Sequence, residues 1–158
     1  MTTTRGEATV LDRRRLAAGA GWGALATVAM SVVMLAATAT GISPMPKPIP
    51  AALVAHALGE LPRPGMVALA AGSHLAYGAV AGTALAGLFR RVNLWTGAAY
   101  GAALWVLMGL VWLPVLGWGP FGTSVAAPIA VATLVLHLIY GIVLGGLLGR
   151  SAASGGAR

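Results

Sequence analysis

"HLAYGAVAG" at residues 74–82 returns as "HLIYGIVLG" at residues 137–145. Six of the nine positions are identical, and the matches use two of the chain's three histidines and two of its three tyrosines. Each copy stands inside a long apolar run. Leu16 to Gly41, Pro64 to Phe89 and Val92 to Gly149 contain no Asp, Glu, Lys or Arg, and each exceeds the roughly 20 residues that cross a hydrocarbon core. With 58% hydrophobic and 8% charged residues and a mean hydropathy of +0.87, the composition lies far from that of soluble domains, which carry roughly 25% charge.

The last run is long enough for two crossings. Within it, "LGWGPFGTSVAAP" at 116–128 gathers the turn-forming residues that interrupt a helix. Four spans follow, at about 17–40, 66–89, 94–116 and 125–149. They divide the chain into a basic segment (1–15), a transmembrane domain (16–150) and a flexible tail (151–158).

Charge sets the orientation. Arg5, Arg13, Arg14, Arg15, Arg90, Arg91, Arg150 and Arg158 fall on one side of the four spans, and Lys47 and Arg63 on the other. The positive-inside rule then puts both termini and the "RRVN" connector in the cytoplasm, and the protein in the inner (plasma) membrane. The net charge of +7 is read as topology, and no nucleic-acid partner is expected, because the arginines border spans rather than a soluble face with stacking aromatics. The absence of cysteine excludes disulfides and thiolate metal sites.

The "RRR" before the first span, followed by an apolar run and "AATAT", has the order of a signal peptide. Its 26-residue apolar run exceeds an h-region of about 7 to 15 residues. The span also has an internal partner. "GAGWGALATVAMSVVML" at 19–35 aligns with "GAAYGAALWVLMGLVWL" at 97–113, so the first span is expected to be retained.

The offset is 78 residues here and 63 for the histidine motif, so the first half holds 15 extra residues. They fall in "SPMPKPIPAALVAHALGELPRP" at 43–64, which reads as a short surface helix in the first outer loop, bracketed by proline and Gly59. His56 there reads as a solvated loop histidine. Two hairpins of equal orientation predict a parallel repeat about an axis along the membrane normal. Small-xxx-small pairs at Gly19/Gly23, Gly78/Gly82, Gly97/Gly101 and Gly141/Gly145 supply helix contact. Pro114 is expected to kink or end the third span, near an outer interface marked by Trp112 and Trp118.

His74, Tyr77, Gly78 and Gly82 share one helix face, as do His137, Tyr140, Gly141 and Gly145. His74 lies 16 residues before Arg90 and His137 13 before Arg150, which puts both at roughly 20 to 24 Å from the cytoplasmic flank. Intramembrane ionisable residues are functional candidates by default. Four chemistries stay open. The pair can be interhelical glue, with neutral imidazoles bridging to hydroxyls or carbonyls. It can hold a haem iron from both sides, with Tyr77 and Tyr140 behind the ligands. It can bind a first-row metal, though two histidines make an incomplete site. It can line a polar path in a small oligomeric transporter or channel. Ser31, Ser73 and Thr27 read as packing hydroxyls. No nucleophile triad, paired carboxylate or phosphate loop is present, so no enzyme activity is expected.

The stretches "GWGALATVAM" (21–30), "LWTGAAYGAALWVLMGLVWLPVLG" (94–117) and "HLIYGIVLG" resemble a group of uncharacterised small inner-membrane proteins of bacteria and archaea, distantly like the YagU family. The resemblance covers most of residues 16–150. It implies a four-span membrane protein of unknown biochemical role and carries over no catalytic residue. The expectation is therefore an all-α integral membrane protein of two parallel two-helix repeats. Its role is structural or accessory, with haem binding and transport as alternatives. Its expected partners are the lipid bilayer and further copies of the chain or a larger membrane complex.

Overall fold

The computed structural model describes the backbone of residues 5–155 and the side chains of residues 13–151. The side chain of Arg5 and the whole of Arg158, both counted in the charge asymmetry, lie outside them. All regular elements among the described residues are helical: α1 (Arg5–Ala39), α2 (Ile49–Leu58), α3 (Arg63–Leu88), α4 (Leu94–Leu107), a π turn (Met108–Trp112) leading into α5 (Leu113–Val115), a 3-10 turn (Pro120–Gly122), and α6 (Pro128–Gly155). Four stretches are long and apolar enough to cross a membrane, Arg13–Ala39, Arg63–Leu88, Leu94–Val115 and Pro128–Ser151. α1 takes in most of the basic segment, and α6 runs into the stretch read from sequence as a tail.

Local chemistry explains the boundaries. The Asn93 side chain accepts the Thr96 N–H at 2.9 Å, satisfying a donor that α4 cannot pair internally. Gly41, at φ +74°, closes α1 while the Ile42 N–H returns to the Ala37 carbonyl at 3.0 Å, satisfying one of its last acceptors. Prolines occupy the first turns of α2 and α3, where a missing N–H costs nothing. Pro114 does not end the third span. The π turn before it widens the helix by one residue, with the Leu113 N–H donating to Met108 O, and the chain continues helically to Val115.

α1 packs along α3, α4 along α6, and α1 also along α6. Glycine lets the backbones meet. A Cβ on Gly97 would run into the carbonyl of Gly141, and one on Gly23 into that of Gly78. The two pairings differ by one helical turn. Gly23 lies against Gly82, with Thr27 against Gly78; in the other pair Gly97 lies against Gly145 and Gly101 against Gly141. By sequence, Gly23 matches Gly101 and Gly82 matches Gly145, so α6 is set four residues along α4 from where the match would put it.

At the arginine-bearing end, Arg15 donates to the Phe89 carbonyl, which ends α3, and the Trp22 indole N–H donates to Ser151 Oγ at 2.8 Å. At the opposite end, Lys47 and Glu60 flank α2 and pair at 3.5 Å.

The glycine contacts predict a sign change between substitutions. Replacing a helical glycine with alanine gains about 1 kcal/mol of propensity in open space, and a Cβ on Gly72 meets nothing within 4 Å. At Gly97 the same methyl must displace backbone, a strain of about 1–3 kcal/mol or more. Gly97→Ala should therefore unfold at lower denaturant than wild type in detergent titrations, and Gly72→Ala at the same or higher.

Candidate functional site

α3 reaches the α4/α6 pair mainly through side chains. The Tyr140 hydroxyl on α6 donates to Gly78 O at 2.7 Å, and the Tyr100 hydroxyl on α4 donates to Ala81 O at 2.8 Å. Both carbonyls belong to one turn of α3. These struts hold the helices apart as well as together, and a chamber of about 430 Å³ lies between them. Its walls come from all four long helices, including Met30 and Met34 of α1, Leu104 and Met108 of the third span, and Leu136 of α6. α2 also lines it, through Ile49, Leu53 and Val54. No Asp, Glu, Lys or Arg lines it.

The repeated motif supplies the ionisable groups of the chamber, and Thr27, Ser73 and Thr133 add hydroxyls. His74, Tyr77 and Gly78 line it from α3, and His137 and Tyr140 from α6. The glycines Gly19, Gly82, Gly97, Gly101, Gly141 and Gly145 serve the helix contacts instead. The equivalent side chains do different work. His74 Nδ1 meets Ser31 Oγ of α1 at 3.2 Å, a bond between helices. His137 Nδ1 donates to Thr133 O of its own helix at 2.8 Å. Tyr140 is 3% exposed and bonded across the chamber wall, whereas Tyr77 is 38% exposed and has no hydrogen-bond partner among the described residues.

The one-turn offset accounts for part of this. It brings Trp105 rather than Gly109 over the His137 stretch, and the Trp105 indole donates to Ala130 O at 3.0 Å and lies 3.3 Å from Thr133 Oγ1. Gly109 is covered by the Phe121 ring, which also packs on Trp105 in a tilted arrangement, centroids 4.5 Å apart and planes at 42°. Sequence reasoning did not single out Tyr100 or Trp105. Their signal was the lone donor each carries in an apolar span, because such a group must find an acceptor. Among the described residues, no three His, Cys, Asp or Glu side chains gather as a metal site.

The chain belongs to a family of unknown function, DUF6789, whose model matches residues 13–156. No curated protein and no solved structure matches it.

The inequality of the two tyrosines is measurable. Tyr140→Phe deletes a buried interhelical bond and should cost about 1 kcal/mol in unfolding titrations, while Tyr77→Phe should leave the midpoint unchanged.

Proposed function

We propose that this chain is a non-enzymatic multi-pass protein of the inner (plasma) membrane whose chamber holds a neutral lipophilic molecule. In this reading the four spans form a bundle of two parallel two-helix repeats. Both termini are cytoplasmic, and α2 belongs to the first outer loop. The observation that carries the ligand reading is the chamber itself. Its volume, about 430 Å³, lies within the roughly 300–1,000 Å³ of small-molecule sites. Its walls are overwhelmingly apolar with a few convergent polar groups, the usual make-up of such sites.

Haem would use the same two imidazoles as axial ligands, but its carboxylates would find no cationic side chain in these walls. A neutral ligand fits the lining better. Glue is a narrower role than the site suggests: His74 bonds to another helix, whereas the bond of His137 stays within its own.

Ala57 lines the chamber from α2 and is exposed, so Ala57→Trp fills space with little cost to packing. A lipophilic fluorescent probe should bind the wild-type protein in nanodiscs and lose about tenfold or more in affinity in this variant, about 1.4 kcal/mol. Equal binding by both proteins would refute the ligand reading, and a Soret band in the purified protein would assign the chamber to haem.

Orientation has its own test, made simple by the absence of native cysteine. A membrane-impermeant maleimide should label His56→Cys in intact spheroplasts and Arg91→Cys only after lysis. The reverse pattern would invert the proposed topology.

A further inference from the structure

We infer that the molecule in the chamber carries a hydroxyl, alcoholic or phenolic, on an otherwise apolar body, and that His137 Nε2 accepts its proton. The inference rests on the chamber being a ligand site. It follows from where the polar protons of the lining already go.

A carbonyl only accepts, so the 2.8 Å contact of His137 Nδ1 with Thr133 O puts the ring proton on Nδ1. A neutral imidazole has one N–H, and Nε2 is left as a lone pair. That atom has no protein partner among the described residues and retains accessible surface, on a ring that lines the chamber.

Four of the neighbouring donors are engaged elsewhere: Thr27 donates to Gly23 O at 2.9 Å, Thr133 to Ile129 O at 2.7 Å, Ser73 to Ala70 O at 3.2 Å and Tyr140 to Gly78 O at 2.7 Å. Tyr77 and Trp112 also line the chamber with donors that have no partner among the described residues, and neither is bonded to His137, whose acceptor is left for a ligand to satisfy.

His74 supplies a second polar atom. Ser31 Oγ has His74 Nδ1 as its one hydrogen-bond partner. A hydroxyl can donate or accept, so His74 Nε2 is a donor when the serine donates and an acceptor when the ring does. The chamber thus presents a fixed acceptor at His137 and an unpartnered ring nitrogen at His74. A hydrocarbon answers neither. An ether, ester or ketone has no proton for His137, and an ion finds no counter-charge in the walls. A hydroxyl both donates and accepts, so it can answer either ring.

Matched pairs test this: para-octylphenol against its methyl ether, and dodecanol against its methyl ether, titrated into wild-type protein in nanodiscs. At least one hydroxyl compound should bind about tenfold more tightly than its ether, corresponding to one well-made hydrogen bond. His137→Phe should bring that ratio close to one while ether binding persists, which also reports that the variant is folded. His137→Gln, which retains an acceptor, should recover part of the ratio even if the Phe variant does not fold. Selectivity for the phenol alone would identify a phenolic or quinol ligand, and selectivity for both an unrestricted hydroxyl. Ethers binding as well as hydroxyl compounds, or a ratio unchanged in both variants, would overturn the hydroxyl assignment and leave the chamber reading intact. If no member of either pair binds, the chamber reading itself fails.

Discussion

Direct backbone contact between glycines is the constraint on which the rest of this structure depends. Inside lipid there is no hydrophobic gain from bringing two apolar helices together, so attraction has to come from close packing and from hydrogen bonds. Dispersion falls steeply with distance, and glycine contacts such as Gly23 with Gly82 and Gly97 with Gly145 bring the helix backbones close enough to exploit it. Each hairpin therefore closes upon itself. Between the hairpins the close helix contact is that of α1 with α6, and on the opposite flank the tyrosine struts take over. The chamber is what remains when two tightly closed pairs are joined along one side.

Much of this was legible in the sequence because its causes are local. Charge-free runs longer than a bilayer is thick marked the four helices that are long and apolar enough to cross one, and the i, i+4 glycines identified which faces approach. The position of α2 was marked by proline before it and by Gly59 at φ +78° after it. The register was not legible, for a physical reason. A shift of four residues turns a helix by only about 40° from a whole number of turns, so the same glycine face still meets its partner after sliding one turn. In a β-strand a one-residue slip exposes the wrong face, and pattern alone pins the pairing. In a glycine-faced helix pair, bulk elsewhere decides. Here Trp105, Phe121 and Gly109 form the contact that accompanies the shifted register.

The same limit applies to the histidine motif. Six matching positions of nine made the two copies look interchangeable, and both do reach one chamber. Their hydrogen bonds depend on what stands opposite, and that differs between the halves. Ser31 of α1 stands opposite His74 and bonds to it. The α4 position at the corresponding place is Trp105, whose indole is engaged with Ala130 and Thr133. His137 consequently turns to the backbone of its own helix. Repetition in sequence thus fixed the location of the polar groups and left their donor and acceptor roles to packing.

Asymmetry between the halves is consequently where the chemical character of the chamber arises. Two identical rings in identical surroundings would offer the same tautomer twice, either two donors or two acceptors, to anything between them. The one-turn offset breaks that equivalence at His137, and the 15 additional residues of the first half break it again by adding α2 to the lining. The fixed acceptor at His137 and the lining from α2 therefore have no counterpart in the other half, and the chamber walls are unlike although the motif that lines them is repeated.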